Sequence, residues 1–561
     1  MNSNFSYNLV EMPCIPVLDL KGHPKSLSLR ETFLHAHELA EISHSSPIVT
    51  ASLVRLCVAL LTDVYSFRSQ SKWVPLWNLG HFKSEDIEYY LDKYKHCLDL
   101  FDSAHPFYQC ARLEDDNPVN LNNLAAELSS GNNPLLFDHT SDADVTDYSA
   151  QQAFHLLITT QNFALAGLLR RTTRLKGETE PIYWQSAYGG TLIPGAMIWL
   201  TGSNLFETLC LNLAPLTPLE SEDEDELTEL ETDMPIWRRD DPTVLRDKLL
   251  NNKLIKTAPK GTLDRLTFQS RLIRLLPEWR DDQLVVSRAA FNHGRSLDPT
   301  LQHSFDPMLA YRPSKKEGYL VNRLSPEKSS WRDFHALIGL NVRESGVLQK
   351  VTPRAMKLLH YMIDKGVPGI DDATLFRLNV AGLANDQAKI LLWRHDRLEA
   401  PAKSLCDNDI ASRVESLLSD AEQIAITLRA CIRRLCAIFL APRSIDARGA
   451  KVEGAMEADP DRVTSLCNAI DSRGTYWARL ECSFFQLLLD IVNDAESASD
   501  TWKDCVEREA KAAFTEAIIN LGDSPSTWKA ASMISSNFKV PSRLEHFSVT
   551  KRSKSNKKEE K

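Results

Sequence analysis

Between Ile410 and Ile438, apolar side chains recur at three- and four-residue steps: Ile410, Val414, Leu417, Ala421, Ile424, Leu428, Cys431, Leu435 and Ile438. That spacing draws one stripe along a long helix, and the stripe is stable only against other helices. The chain that follows offers them. A second helix is predicted from Asp461 through Trp477, Leu480, Phe484, Leu487, Leu488 and Ile491, with Arg473-Gly474 as a break. A third runs from Thr501 to Leu521, and a shorter fourth, capped by Ser526, reaches about Ser536. Short connections favour antiparallel neighbours, so residues 403–545 are expected to form a four-helix bundle. The tail, 546–561, is rich in Lys, Ser and Glu, has little to bury, and is expected to be disordered.

Ahead of the bundle the pattern is mixed. At 561 residues the chain exceeds what one core usually supports, so a first domain over 1–402 is expected. Helical stretches stand out at Leu29 to Ile42, Ile48 to Tyr65, Ser84 to Phe101, Ser149 to Ile158 and Arg354 to Lys365. Between them lie β-like runs such as Gln283 to Ser287 and Leu375 to Val380. Strands and helices do not alternate regularly, which points to an α+β fold rather than a doubly wound sheet. The dividing line falls near Glu399 to Asp407, where Pro401 and a polar cluster precede the helical periodicity.

The formal charge of −10 conceals an uneven distribution. Glu220 to Asp233 holds nine acidic residues and no basic one, leaving −10 + 9 = −1 for the rest. Such a run repels itself and is expected to be a surface loop over residues 219–234. From Asp264 to Lys357 the chain carries sixteen Lys and Arg against ten Asp and Glu, a balance that suits a surface facing a phosphate backbone. The eleven cysteines include no Cys-x-x-Cys pair, so neither a zinc ribbon nor a disulfide framework is indicated. Phosphate loops, nucleophile elbows and His-Glu-x-x-His helices are missing from the sequence, and no metal or cofactor is expected. No uninterrupted apolar run of membrane-spanning length occurs, and the N-terminus lacks a signal-peptide pattern; a soluble, cytoplasmic chain without a membrane partner is the expectation.

One further segment is distinctive. Leu383-Ala384-Asn385-Asp386-Gln387-Ala388 and the following Lys389 to Asp396 set a polar tip between apolar flanks, with Arg394-His395 just beyond. Asn and Asp favour tight turns, and Gln carries both donors and acceptors, so the tip would present an amide to base edges or backbone. Taken with Tyr7 to Val17, Leu29-Arg30-Glu31, Ala36-His37-Glu38-Leu39, Ser46-Pro47 and His105-Pro106-Phe107-Tyr108-Gln109, the chain resembles the large subunit of the type I-E CRISPR surveillance complex, Cascade. Relatives carry a Trp where this chain has Cys14.

The resemblance implies a noncatalytic subunit that recognises a protospacer-adjacent motif in duplex DNA, assists strand separation and docks a helicase-nuclease. Its implied partners are guide RNA, double-stranded target DNA, the other Cascade subunits and the helicase-nuclease effector. The family's duplex wedge would map to Asp386, Gln387 and Ala388, with Arg394 as a phosphate contact. Its glycine-rich minor-groove loop would fall near Asn162 to Gly167. Only Gly167 is a glycine there, and Arg170, Arg171 and Arg174 follow as phosphate contacts. Arg295 is the candidate basic side chain for the minor groove, with Lys315 and Lys316 as competitors. Asn133 and Phe137 would anchor the guide RNA and a neighbouring subunit. The competing expectation is an assembly scaffold without its own duplex readout.

Overall fold

The apolar run after Ser46 lacks a face for water. In the computed structural model of the chain it is the helix Pro47–Tyr65, capped by Ser46, whose hydroxyl accepts the N–H of Val49, and closed by Ser66 at φ 44°. This helix is long and apolar enough to cross a membrane, yet 89% of its most apolar window is buried inside the protein. A helix apolar all round is a core element. It lies in the first of two units, Met1–Asn408 and Asp409–Lys561. The structure describes residues 5–66, 70–125, 145–183, 185–193, 195–213, 233–239, 249–250, 253–254, 256–297, 305–314, 318–338, 351–386, 389–444, 452–453, 455–534 and 538.

The first unit is α+β, as expected. Its longest ladder is the antiparallel hairpin Leu375–Asp386 with Lys389–Pro401, joined on one side by Ala196–Thr201. A second hairpin, Arg271–Arg280 with Gln283–His293, is flanked by short strands at Val119–Asn120 and Tyr148–Ser149. The helix Ala150–Phe163 packs between this hairpin and the central helix. A capping box starts it, Ser149 and Gln152 each serving the other's backbone N–H.

The segment Leu29 to Ile42, expected as one helix, is three elements. The helix stops at Leu34, a 3-10 turn spans Ala36–Glu38, and Leu39–Ile42 is a strand. The cause is tertiary: Val17 pairs with Ile42 across the N-terminal sheet, and that ladder offsets the helical preference of the intervening residues. Likewise the helix from Ser84 ends at Tyr94.

The second unit is helical throughout its described elements. Asn408–Leu440 carries the apolar stripe, although Cys431 is only half-buried and Ile432 and Cys436 are buried in its place. The second helix is split into Pro460–Ala469 and Arg473–Asp490. At the break, the Asp471 carboxylate accepts from Arg429 at 2.7 Å and from Arg473 at 2.8 Å. The third helix begins at Ala495 rather than Thr501, because Asp494 accepts the N–H groups of Glu496 and Ser497. The fourth, Pro525–Ser532, is capped by Ser524 and not by Ser526, with Pro525 at its first position. The tail 546–561 lies outside the described residues.

Candidate nucleic-acid interface

The long hairpin has a root in a three-stranded sheet and an end of two strands, with burial continuing to Ala384. Its third strand accompanies it only as far as Gly382, opposite Ala196. Beyond that point the two strands continue alone, with a register shift between Ala384 and Asn385, to the pair Asp386 and Lys389. Leu378, Val380, Ala381 and Leu383 are buried, whereas Leu391 near the end is exposed. The turn expected at Asn385-Asp386 is therefore strand, paired with Ile390 and Lys389. Gln387 and Ala388 lie outside the described residues.

Arg394 does not point freely at a phosphate. Its guanidinium donates to the Lys328 carbonyl at 2.9 Å and lies 3.7 Å from the Asp396 carboxylate, fastening the hairpin to the 325–333 segment. Next to it, His395 bonds Asn379 Oδ1 at 2.9 Å beside the Trp199 ring. Burial, reinforced by Arg397, pulls its pKa down to about 4. His155 meets the same fate: burial, with His44 beside it, lowers its pKa to about 4, although its bond to the Cys14 carbonyl at 2.8 Å works the other way.

These two histidines predict an acid response. Each has a folded pKa near 4 against an ordinary 6.5, so between those values the unfolded chain binds more protons than the folded one. Their contribution is intact above pH 6.5 and is lost as pH falls toward 4. Urea midpoints measured at several pH values across this window should decline, and His155→Gln should flatten the decline.

Asn162, expected in a groove-facing loop, is buried. Its amide donates to the Ile158 carbonyl at 3.1 Å and accepts from the Thr191 hydroxyl at 3.2 Å, while its own carbonyl receives the Leu192 N–H. It holds the 189–193 loop to the helix end. Gly167 is exposed in the short strand Gly167–Leu169, which pairs with Gln185–Ala187. Leu168, Tyr183 and Tyr188 are exposed large side chains on the same stretch of chain.

The basic cluster is largely answered by acidic residues distant in sequence. Arg171 donates to Asp115 at 2.8 Å, and Arg174 to Glu114 at 3.0 Å and Asp116 at 3.1 Å. The two pairings differ in how readily they exchange. Asp115 is 3% exposed, which fixes Arg171, whereas Arg174 is 55% exposed and its pairs are of the weak surface kind. Arg170 is exposed and makes no ion pair with a described residue.

Arg295 is corrected most sharply. It forms a bidentate pair with Asp264 at 2.7 and 3.0 Å, its guanidinium lies 4.1 Å from the Phe268 ring centre, and it is 5% exposed. It is a core ion pair. Asp233, counted with the acidic run, is also inside. Its carboxylate accepts the N–H groups of Leu263 and Asp264, while burial raises its pKa. The rest of the acidic run lies outside the described residues, as do Asn133, Phe137, Lys315 and Lys316.

Sequence reading missed the centre of this region. Arg55, from the middle of the apolar helix, reaches Asp306 at 2.6 and 2.9 Å, and Arg265 reaches the same carboxylate at 3.1 Å. A lone arginine in the middle of a mostly apolar helix was the available signal. Among the described residues no group of three or more His, Cys, Asp or Glu is placed to hold a metal.

Residues 8–515 match the family of CRISPR-associated protein Cse1. The chain belongs to that family. A CRISPR-associated protein CasA/Cse1 of Thermus thermophilus is 31% identical over 515 residues, covering 92% of this chain and 93% of the relative. A crystal structure of Thermus thermophilus CasA superimposes with a TM-score of 0.73 at 27% identity, covering 94% of this chain and 97% of that one. A chain of a CRISPR RNA-guided surveillance complex shares the fold at TM-score 0.68 and 19% identity, covering 94% of this chain and 98% of that one. Membership accounts for the α+β unit followed by a helical one.

Proposed function

We propose that the chain is a noncatalytic subunit of a CRISPR RNA-guided surveillance complex that recognises a short flanking motif in duplex DNA and helps to part the strands. The observation that carries this reading is the long hairpin, anchored by a buried root and continuing as two strands to Asp386 and Lys389. In this role Asp386, Gln387 and Ala388 form the wedge. Inserting it costs a few kcal/mol of unstacking, offset by protein contacts and by guide pairing. Gly167 gives close backbone approach to the groove, and Arg170 and Arg174 meet phosphates, Arg174 by exchanging its exposed carboxylate partners. Asn133 and Phe137 anchor the guide RNA and a neighbouring subunit. The helicase-nuclease docks on the assembled complex.

A scaffold role without duplex readout has one observation in its favour, the engagement of Arg171 and Arg174 by Glu114, Asp115 and Asp116. The readings part on one measurement. The chain, assembled with guide RNA and its sister subunits, is presented with targets whose flanking bases are randomised. The proposed function expects binding only to a defined subset of flanks, with Gln387→Ala weakening strand opening, read by permanganate reactivity of unpaired thymines, more than assembly. Indifference to the flank would leave the scaffold.

A further inference from the structure

The motif His105-Pro106-Phe107-Tyr108-Gln109 borders a cavity of about 160 Å³ in the first unit, lined also by Arg112, Trp237 and Arg239. Three features set it apart from ordinary packing. Tyr108 holds φ 58°, a left-handed conformation that a bulky aromatic residue rarely adopts. It is kept there by its neighbours. Phe107 stacks on Trp237 at 5.6 Å, and the Gln109 side chain bonds the Leu100 carbonyl and the Leu275 N–H.

Second, the ground behind the cavity carries more positive than negative charge. Arg55, Arg239, Arg265, Arg295 and Arg354 share Asp233, Asp264 and Asp306 in a buried cluster of described residues. Arg239 is both a member of this cluster and part of the cavity wall, and its Nε N–H is buried with no hydrogen-bond partner. A buried donor left without an acceptor is costly. Third, the rim residue Arg112 is 38% exposed and paired with Glu178 at 3.1 Å, a contact that exchanges readily.

We propose that this cavity binds one unpaired nucleotide, its base against Trp237 and Tyr108 and its phosphate between Arg112 and Arg239. The size favours this ligand. About 160 Å³ is below the roughly 300–1,000 Å³ of pockets that enclose a drug-sized ligand, so the cavity takes the base alone and leaves the ribose and phosphate at its mouth. Aromatic walls with cations at the mouth are the chemistry that stacks a base and neutralises its phosphate. The nucleotide is either free or a flipped base of a single strand. Its rim adjoins the ladder of Leu113–Glu114 with Arg174–Leu175, the Lys176 N–H bonding the Arg112 carbonyl at 2.8 Å.

The test is calorimetric titration of the full chain with the four ribonucleoside 5′-monophosphates, with inorganic phosphate, and with a short single-stranded oligonucleotide as RNA and as DNA. At least one nucleotide is expected to bind more tightly than phosphate. Arg112→Ala should weaken it by about tenfold, and Glu178→Gln, which removes the ion pair at Arg112, should tighten it a few-fold. Both substitutions lie at an exposed rim, and unchanged melting temperatures would show that the fold is intact. Binding of the oligonucleotide alone, with the same response to both variants, assigns the ligand to a strand. Absence of binding by every probe at millimolar concentration overturns the proposal. So does binding that ignores both variants, or phosphate binding as tight as any nucleotide.

Discussion

Asp306→Ala should cost this protein on the order of 3–5 kcal/mol of stability, because it strands two buried guanidiniums at once. The Asp306 carboxylate is wholly enclosed, and Arg55 and Arg265 are nearly so. Burial pushes the carboxyl pKa up, but the two arginines outweigh it and hold the group at about 2, so it is ionised at neutral pH. The Met308 N–H supplies a further bond at 3.0 Å. Among the described residues, removing the carboxylate leaves Arg55 with the Leu266 and Arg265 carbonyls, which accept hydrogen bonds and do not neutralise charge. Since native domains are stable by only about 5–15 kcal/mol, the loss should show as a large fall in the urea midpoint. A control separates charge from packing. Asp306→Asn, which keeps the shape and one acceptor, should cost less than the alanine, and combining Asp306→Ala with Arg55→Met and Arg265→Leu should restore much of the loss. Equal midpoints for Asp306→Ala and the parent chain would remove the network from the account of stability.

The helices of both units were legible because their apolar spacing is local. The stripe from Ile410 to Ile438 and the apolar run after Ser46 each needed only a window of sequence, and both are found where expected. What could not be read depends on partners far along the chain. Leu39–Ile42 is a strand because Val17 is its neighbour, and nothing within the segment announces that. Arg295 turns inward to meet Asp264, and Asn162 to meet Thr191. Asp233 left the acidic run because the Leu263 and Asp264 N–H groups needed an acceptor. The same holds for charge. Arg171 and Arg174 read as a free basic cluster until Glu114, Asp115 and Asp116 are folded against them. Of the proposed site, the hairpin was visible as two apolar flanks around a polar centre, whereas its extent, strand through Asp386, required the paired register.

Gly190 and Gly167 should respond oppositely to the same change, and the contrast tells a glycine kept for the fold from one kept for a partner. A Cβ on Gly190 would sit 2.4 Å from the Asn162 carbonyl oxygen and 2.9 Å from the Phe163 nitrogen. These are backbone atoms at a helix end, fastened by the bonds from Gly190 N–H to Ala164 and from Leu192 N–H to Asn162, so they cannot swing aside as a side chain does. Gly190→Ala should therefore cost about 1–3 kcal/mol or more through overpacking. The displaced loop follows directly on Gln185–Ala187, the strand that pairs with Gly167–Leu169, so target binding should weaken along with stability. Gly167, by contrast, has nothing within 4 Å of its added Cβ and lies at no left-handed φ. Gly167→Ala should leave the melting temperature where it is, or raise it slightly through the lower entropy of the unfolded chain. If the exposed edge at Gly167 lies against a DNA groove, the added methyl group meets the nucleic acid instead of the protein. Target affinity of the assembled complex should then fall by about tenfold, equivalent to roughly 1.4 kcal/mol, with assembly unaffected. Unchanged affinity would move the groove contact away from Gly167, and a loss of stability in this variant would mean that the protein, not its partner, requires the glycine.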